Sequence, residues 1–385
     1  MKVGIIGKGL AGIITALSWK TISPGVEVEI YYDNNIPPVP VGAGSNPNFL
    51  ELLTAINRID PQVQVDWRNN CFDATPKTGI LYEGWGTTGV PWFHPFASAS
   101  ELAMHFDPIK LQDFFLNCGF FKVIEKNIGS YDDLDVDYVY DCAGFPNDYD
   151  DYFTIRNPLN KVLLSNLPPS NNRSYGSLTR TVATPDGWCF HIPLTTRTSL
   201  GYLYNDTITT DEEAEKNFRE QFGVEEIEKT LSFKNYCAKN PIIDGRVFLN
   251  GNKYFFIEPM EAISVGQYYR WAGNTITHLL NPNPYCTLDD LILADRQDIY
   301  ESANFILYHY SQGSKYDTPF WDYAKSLKAD DFRMDAMITK SYDSNWFGIS
   351  DIPYGGFHLN DVLQCHYELV GDNYYERRKE HIPRM

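Results

Sequence analysis

Six residues near the start of the chain have the spacing of a dinucleotide-binding turn. Gly7-Lys8-Gly9-Leu10-Ala11-Gly12 is a G-x-G-x-x-G run, and Asp33 follows about 20 residues later, where such folds carry an acid for the ribose hydroxyls. The first glycine permits a tight turn, the second leaves space for a pyrophosphate, and the third lets helix and strand pack closely. This pattern predicts a dinucleotide site formed by Gly7, Gly9, Leu10, Ala11, Gly12 and Asp33. The alternative is a glycine turn that binds nothing.

The segments on either side of the turn have the patterns that would position it. Residues 2–6 predict a short buried strand, residues 10–21 a helix, and residues 26–32 a second, alternating strand. A β-α-β unit of this length favours a parallel sheet. The N-terminus of its helix would then present unpaired N–H groups to a phosphate.

The rest of the chain predicts a discontinuous arrangement. A helix is expected at residues 47–57, many strands at 148–234, a hydrophobic strand pair at 247–257, and helices at 267–280 and 288–312. A late return to the nucleotide domain is typical of flavoprotein monooxygenases. We therefore predict an α/β fold with a Rossmann-like FAD-binding module of the GR2 type at residues 1–147 and 235–285. A β-rich substrate domain is inserted at 148–234, and a helical C-terminal region at 286–385 completes the substrate pocket.

Composition and charge argue against several classes of partner. The 385 residues carry a formal net charge of −18, which disfavours nucleic acid and anionic membranes. Apolar stretches stay shorter than the roughly 20 residues of a membrane helix, and glycines interrupt the apolar start, unlike a signal peptide. The seven cysteines are odd in number and lack C-x-x-C spacing. We therefore expect reduced thiols, no metal and a cytoplasmic protein.

A segment in the middle of the chain resembles a known signature. Residues 187–193, Gly-Trp-Cys-Phe-His-Ile-Pro, are similar to the W-x-W-x-I-P motif of flavin-dependent tryptophan halogenases. Trp188, Ile192 and Pro193 match the motif, whereas Phe190 replaces its second tryptophan. In that family the segment lies near the flavin and is thought to discourage hydroxylation. The alternative is an ordinary strand with aromatic residues at alternating positions.

Two further segments resemble parts that contact flavin. Residues 42–47 are similar to the GExT-like flavin loop of the family, with Ala43 at its acidic position. Residues 141–144, Asp-Cys-Ala-Gly, resemble the second flavin-contacting segment of the aromatic hydroxylases, although Asp141 could instead be an ordinary strand-end carboxylate. The resemblance implies FAD rather than NAD, with contacts from Gly42, Ala43, Ser45, Asp141, Trp188, Ile192 and Pro193.

The resemblance also implies a catalytic pair. Residues 72–80 are similar to the segment with the family's catalytic lysine, here Lys77, and residues 258–264 are similar to its E-P-L-E-S-T-G motif, which makes Glu261 the catalytic glutamate. The lysine would guide hypohalous acid by a hydrogen bond or hold it as a haloamine. The glutamate would accept the ring proton or stabilise the cationic intermediate. Pro259 suits the first turn of a helix, on which Glu258 and Glu261 would share a face. Without the family match, Lys77 would be a solvated loop lysine and Glu261 a helix-start charge.

The implied halide and substrate positions depart from the family pattern. The family binds halide with backbone around a Thr-Gly pair, where this chain has Ile263-Ser264. Backbone amides remain available, and the altered pocket leads us to expect bromide or iodide. Residues 92–96 resemble the segment that supplies aromatic walls to the indole pocket, which implies that His94 and Phe96 contact the substrate. Their alternative is a buried turn.

These five matches, in the family's order, imply an FADH2-dependent halogenase. It would use O2 and chloride, bromide or iodide on an electron-rich aromatic substrate, with a separate flavin reductase as partner. A phage-encoded member is the kind that we expect, and a homo-oligomer remains open. Two other functions would share the nucleotide motif: an FAD-dependent aromatic monooxygenase, and a non-catalytic flavin-fold protein that binds lipid or protein.

Overall fold

The computed structural model describes residues 1–36, 38–39, 41–59, 72–96, 102–169, 176–329, 331–342, 353–372 and 374. The strands in chain order are β1 (Lys2–Ile6), β2 (Glu27–Tyr32), β3 (Ala43–Gly44), β4 (Thr75–Lys77), β5 (Gly79–Glu83), β6 (Trp92–Pro95), β7 (Ala103–Phe106), β8 (Lys122–Glu125), β9 (Tyr138–Asp141), β10 (Tyr152–Thr154), β11 (Lys161–Leu167), β12 (Leu178–Thr184), β13 (Gly187–Pro193), β14 (Thr198–Tyr204), β15 (Lys229–Ser232), β16 (Tyr236–Ala238), β17 (Ile242–Ile243), β18 (Val247–Leu249), β19 (Phe255–Phe256), β20 (Pro353–Tyr354) and β21 (Phe357–His358). The helices are α1 (Leu10–Ile22), α2 (Pro47–Ile59), α3 (Pro108–Asn117), α4 (Asp211–Phe222), α5 (Ile263–Leu280), α6 (Leu288–Ser311), α7 (Pro319–Ser326), α8 (Phe332–Ser341) and α9 (Leu359–Leu369).

A parallel sheet carries the predicted nucleotide turn. Its strand order is β17-β18-β9-β1-β2-β8, and all its pairs are parallel except β17 with β18. Apolar residues of β1 and α1, such as Val3, Ile5, Ile13 and Leu17, are fully buried, and α1 packs against α5. The β-α-β unit brings the C-terminal ends of β1 and β2 to the same edge of the sheet. The predicted α/β fold is confirmed.

A second sheet has seven strands, in the order β15-β11-β14-β13-β12-β5-β6. Alternate residues of β13 face opposite sides, so that Trp188, Phe190 and Ile192 join the main core while Cys189 packs under α4. Helix α4 interrupts the predicted strand-rich region. Its capping box at Thr210 and its left-handed Gly223 are signals that the sequence contained.

Two expectations about the strands do not match the structure. β5 and β6, from residues 79–95, pair within the seven-stranded sheet, so this sheet extends beyond the predicted insertion at 148–234. The strand pair expected at residues 247–257 is wrong, because β18 lies in the parallel sheet and β19 pairs with β16. A 3-10 turn at Gly251–Lys253 separates them. Both differences arise from pairing with distant strands, which local patterns do not specify.

The C-terminal region is helical, as predicted, and contributes α6 to α9. Within the described ranges, no helix has both the length and the apolar character needed to cross a membrane. Among the described cysteines, Cys142, Cys189, Cys237, Cys286 and Cys365 are free thiols.

Helix α5 is attached to the parallel sheet by a buried indole. Trp271 is fully buried, and its Nε1–H donates to the carbonyl of Leu249 in β18 over 2.8 Å. Trp271→Phe should lower the free energy of unfolding by about 1–3 kcal/mol, because it removes this hydrogen bond and leaves a small void. Urea denaturation would measure the change. Tyr285→Phe, at a side chain that is 94% exposed, is the control that should match the wild type; equal midpoints for all three proteins would contradict the prediction.

Candidate active site

The glycine run forms the tight turn that its spacing predicts. Gly7 has φ of +102°, and a side chain there would lie 2.6 Å from the carbonyl oxygen of Cys142. A side chain at Gly12 would lie 2.0 Å from the Gly7 carbonyl oxygen, so these two glycines are required by the fold itself. Gly9 differs, because no atom lies within 4 Å of the position its Cβ would take. The turn is therefore open only at the glycine expected to face a pyrophosphate.

Helix α1 begins directly after this opening, at Leu10. Its N-cap residue, Gly9, provides no side-chain hydrogen bond, so the first-turn N–H groups are available to a phosphate. Gly251 packs closely against Ala11 of this helix, because a Cβ added at Gly251 would lie 2.5 Å from the Cβ of Ala11. Gly251 has φ of +66°, which explains why a glycine stands there.

Asn250, within the predicted strand pair at residues 247–257, connects three elements at this site. It is fully buried, and its side-chain amide donates to Thr15 Oγ1 (2.9 Å) and to the carbonyl of Tyr268 (3.2 Å). Its backbone N–H donates to the carbonyl of Asp141. Asn250 thus fastens α1, α5 and the end of β9 around the open turn.

Asp33 lies at the end of β2, near the same sheet edge as the glycine turn. One carboxylate oxygen accepts from the backbone and side-chain nitrogens of Asn35 (2.8 and 2.9 Å), and the other from Asn127 Nδ2 (2.9 Å). A carboxylate has about four lone-pair positions. Asp33 therefore keeps acceptor capacity for a ribose while its orientation is fixed.

Asp141 is engaged within the protein. It is buried, and its carboxylate accepts from the Tyr131 hydroxyl (2.7 Å) and from the backbone N–H of Ala143 (3.0 Å), with Lys253 Nζ at 3.9 Å. These bonds hold the Cys142 turn against Gly7. They give Asp141 a structural role at the end of β9, and its contact with a cofactor stays a prediction.

The residues predicted to form a flavin loop contact the predicted signature strand. The Gly42 N–H donates to Ser199 Oγ (3.1 Å), and a Gly42 side chain would lie 3.2 Å from Ile192 Cγ2. Ala43 begins β3, and Ser45 closes a pair of bonds with Met104, accepting at Oγ (3.0 Å) and donating from N (2.8 Å). The loop is therefore fixed between β7 and the end of β13.

The signature residues of β13 differ in their surroundings. Pro193 accepts from Thr75 Oγ1 over 2.6 Å, which joins β13 to the strand that carries Lys77. Ile192 packs beside Gly42. Trp188 is fully buried in the main core, with Phe190 at 6.0 Å in an edge-to-face arrangement. Direct contact of Trp188 with a cofactor stays a prediction.

Lys77 is a buried lysine rather than a solvated loop residue. It is 1% exposed, at the end of β4, and its Nζ donates to the carbonyl oxygen of Ser45 over 3.2 Å. The ammonium also lies 5.6 Å from the centre of the Phe96 ring. Burial lowers the pKa of Lys77 to about 8, although the charge of Glu261 opposes this shift. Near neutral pH the amine is thus poised between its two protonation states.

Glu261 lies in a turn, which corrects the expectation of a helix beginning at Pro259. Helix α5 starts at Ile263, and the preceding Ala262 is left-handed with φ of +50°. Glu258 and Glu261 therefore do not share a helical face. Glu258 accepts from the Tyr310 hydroxyl (3.1 Å) and the Met260 N–H (3.1 Å), and burial raises its pKa to about 8.

The Glu261 carboxyl group is buried among aromatic groups. It accepts a hydrogen bond from the Tyr82 hydroxyl, and His309 Nε2 lies 3.4 Å from Oε1. The Tyr82 ring stacks on Trp92 at 4.3 Å and faces His309 at 5.3 Å. Burial raises the pKa of Glu261, and the charges of His94 and Lys77 and the Tyr82 bond counteract this effect.

His309 faces Glu261 with an unprotonated nitrogen. Its Nδ1 is 2.8 Å from the carbonyl of Phe305, which assigns the ring hydrogen to Nδ1. Burial lowers the pKa of His309 to about 4, so the ring is neutral at pH 7. Nε2 is therefore an acceptor directed at the Glu261 carboxyl group, and among the described residues it has no hydrogen-bond donor.

His94, predicted to contact substrate, lies beside Glu261. Its Nε2 is 3.3 Å from an Asp361 oxygen, and its Nδ1 is 3.8 Å from Cys365 Sγ. Burial alone would lower the pKa of His94, but the bond to Asp361 and the charge of Glu261 raise it. Donor atoms of His94, Glu261 and Cys365 all lie within 4.8 Å of one another, a spacing that a metal ion could also use and that the sequence did not suggest.

The predicted halide residues form the first turn of α5. Ile263 and Ser264 follow Ala262, whose side chain makes no capping hydrogen bond, so backbone N–H groups are available for an anion. A side chain at Gly266 would lie 2.1 Å from Asn46 Nδ2, so this turn packs directly on the predicted flavin loop. The first turn of α5 and the Lys77 ammonium thus both contact the loop at residues 42–47.

The structure brings together most of the predicted residues and adds others. The predicted Lys77, Glu261 and His94 are mutually coupled and buried. Residues missed from the sequence are Asn250, Gly251, Tyr82, Trp92, His309, Asp361 and Cys365. For the first four of these residues, the sequence signals were the Asn-Gly pair and the aromatic character of residues 82–96. His309 in α6 and Asp361 and Cys365 in α9 had no such signal.

Comparisons with known proteins agree with this geometry. The sequence matches the tryptophan halogenase family over residues 2–122 and 129–342. The chain belongs to this family. Tryptophan 6-halogenase ThaL of Streptomyces albogriseolus is 24% identical over 334 residues, which cover 73% of this chain and 61% of ThaL. Tryptophan 7-halogenase KtzQ of Kutzneria sp. (strain 744) is 21% identical over a 479-residue alignment, which covers 95% of this chain and 88% of KtzQ.

The fold is also that of solved halogenases. Xcc4156, a flavin-dependent halogenase from Xanthomonas campestris, superimposes with a TM-score of 0.78 at 18% identity, covering 98% of this chain and 91% of Xcc4156. FAD, O2 and halide are the reactants that the tryptophan halogenase family implies. Phage origin stays a prediction.

The opening at Gly9 leads to a prediction about cofactor affinity. Gly9→Ala should weaken FAD binding at least tenfold, about 1.4 kcal/mol, because the new methyl group occupies space left for the pyrophosphate. Its melting temperature without FAD should stay at the wild-type value, since no atom lies within 4 Å of the added carbon. FAD titration by fluorescence and thermal unfolding would measure both. Gly12→Ala is the contrast, with lost stability expected; wild-type FAD affinity in Gly9→Ala would contradict the prediction.

Proposed function

We propose that this protein is a flavin-dependent halogenase that uses reduced FAD, O2 and halide to halogenate an electron-rich, indole- or phenol-like substrate through hypohalous acid. The observation that supports it most is the burial of Lys77 and Glu261 in one electrostatically coupled cluster. A monooxygenase needs no buried lysine opposite a buried glutamate. A non-catalytic binding protein would not be expected to keep either group out of water, because burying a charge is costly.

FAD would be held by the open side of the nucleotide turn and by the loop at residues 42–46. Gly9 and the first turn of α1 would receive the pyrophosphate, Asp33 the ribose, and Gly42 with Ile192 the ring system. Bound reduced FAD supplies the two electrons that, with O2 and halide, yield hypohalous acid. The uncapped amides of Ile263 and Ser264, which adjoin this loop, would hold the halide.

Lys77 would control the hypohalous acid. Its Nζ donates one hydrogen bond to the Ser45 carbonyl oxygen. The other N–H groups of the ammonium can donate to the oxygen of hypohalous acid. With its pKa lowered to about 8, a fraction of the amine is neutral and nucleophilic, so a haloamine is also accessible. Both forms keep the electrophilic halogen beside the cluster instead of releasing it to water.

Glu261 would take the proton that the aromatic ring loses. When halogen adds to the ring and a C–H bond breaks, the proton passes to the carboxylate, and water is the second product (ArH + HOX → ArX + H2O). The unprotonated Nε2 of His309, 3.4 Å from Oε1, can then accept a hydrogen bond from the protonated carboxyl group. Tyr82 orients the carboxyl group through its hydroxyl.

The aromatic substrate would approach from the side of His94 and Phe96. His94 is buried beside Glu261, and Phe96 is partly exposed with the Lys77 ammonium near its ring. Asp361 and Cys365 of α9 line the same side through their contacts with His94. The role of the C-terminal region in completing the pocket is part of this proposal, as are a cytoplasmic location and a separate flavin reductase.

The decisive test is a bromination assay of the wild type and Lys77→Ala. The protein, FAD, a flavin reductase, NADH and bromide are incubated with indoles and phenols, and mass spectrometry searches for the bromine isotope doublet. We expect product with the wild type and a loss of about 10²-fold or more in Lys77→Ala, with FAD affinity retained, because the acid is no longer guided. Lys216→Ala, at a lysine that is 69% exposed, is the control.

Two outcomes of this assay would reject the proposal. Oxygenated product at equal rates with and without Lys77 would indicate a monooxygenase, and absence of flavin binding would indicate a binding protein. Parallel reactions with chloride and iodide test the expected preference for the larger halides, which a strict chloride preference would overturn.

The lowered pKa of Lys77 also predicts a pH-dependent stability difference. Between pH 8 and 10.5 the unfolded chain binds more protons at this lysine than the folded chain, so its contribution to stability rises with pH. The free energy of unfolding of the wild type minus that of Lys77→Met should rise by up to about 3 kcal/mol between pH 8 and 10.5. Urea denaturation at several pH values measures this difference, and a constant or falling difference would show that the amine is not buried.

A further inference from the structure

A buried thiol lies beside the proposed catalytic carboxylate and has no part in the proposed reaction. Cys365 is fully buried in α9, with Sγ 3.8 Å from His94 Nδ1. Its sulfur, a Glu261 oxygen and a His94 nitrogen lie within 4.8 Å of one another. The unpartnered Nε2 of His309 points at the same carboxyl group. The cluster thus gathers polar atoms beside the carboxyl group to which hypohalous acid would be delivered.

We propose that Cys365 is the internal trap for hypohalous acid that meets no substrate, and therefore a site of turnover-dependent oxidation. This inference rests on the proposed function. A thiol sulfur is softer and more readily oxidised than an aromatic carbon or an amine. An acid held between Lys77 and Glu261 that finds no ring to attack would have this sulfur among its nearest nucleophiles.

The reaction balances without a further reagent. The sulfur attacks the halogen, the S–X bond forms, the X–O bond breaks, and hydroxide leaves with the thiol proton as water. Water then displaces halide from sulfur to give sulfenic acid and HX. Sulfur loses two electrons and the halogen gains them. His94, whose Nε2 faces Asp361, has Nδ1 3.8 Å from the sulfur and so fixes the position of the thiol group.

Burial of Cys365 makes the source of the oxidant measurable. Cys365 is fully buried, so oxidants in bulk water reach it poorly. Cys118 and Cys286 are partly exposed and should react first with an external oxidant. Cys142 and Cys189 are buried elsewhere and serve as controls for burial alone. Oxidation of Cys365 ahead of the others would place the oxidant inside the protein.

The experiment follows each cysteine during turnover without an aromatic substrate. The full-length protein is incubated with FAD, a flavin reductase, NADH, catalase and bromide, free thiols are then alkylated, and mass spectrometry quantifies oxidation at each cysteine. We expect at least tenfold more oxidation at Cys365 with bromide than without it, and strong protection by an indole that is turned over. Cys365→Ser should lose activity more slowly than the wild type over repeated turnovers.

Two further arms separate the possible failures. Hypobromite added from outside should oxidise Cys118 and Cys286 before Cys365. If the enzyme brominates an indole in a parallel reaction while Cys365 stays reduced without indole, the trap is rejected and the halogenase function stands. If neither brominated product nor bromide-dependent oxidation is found, the proposed function fails and the trap with it.

Discussion

The burial of one ammonium group governs the arrangement of the site. An amine that is 1% exposed loses most of its hydration, and within the described ranges Lys77 regains a hydrogen bond to the Ser45 carbonyl and the attraction of Glu261. These partners come from the loop before α2 and from the turn before α5. The lysine can remain buried only while both segments hold their positions. Its lowered pKa is the measurable consequence, and the same property suits it to handle an electrophilic halogen.

Glu261 also loses hydration on burial, and the groups that compensate for this loss extend through the cluster. Lys77, Glu261 and His94 are buried and Asp361 is half-buried, and in this series the groups that can carry positive charge alternate with carboxyl groups, each affecting the pKa of its neighbours. The members come from β4, the turn before α5, β6 and α9. Removing one therefore leaves another charge uncompensated in a region of low dielectric constant. Protonation of one member is coupled to that of the others, so proton transfer and electrostatic stabilisation depend on the same contacts.

The sequence predicted the nucleotide turn well because its determinants are local. Gly7 and Gly12 lie within one β-α-β unit, and their spacing alone implies the close backbone approaches that the structure contains. The positions of Lys77 and Glu261 came from family resemblance, and only the fold brings them together. His309, Asp361 and Cys365 were missed because each reaches the site from a helix far along the chain. No periodicity or spacing encodes which faces of α6 and α9 meet β6.

The error at Pro259 shows how local signals can be overridden at a site. Proline followed by an acidic residue favours a helix start, yet the chain turns through a left-handed Ala262 before α5 begins. A non-glycine residue in that conformation is strained, and the turn places the buried Glu258 and Glu261 just before it. A helix begun at Pro259 would put its first-turn amides beside Glu261, where they would stabilise the carboxylate and lower its proton affinity. Because the helix begins at Ile263, its first-turn amides lie beyond Glu261 and are available to bind an anion. The Glu261 carboxyl group keeps a raised pKa and can accept a proton.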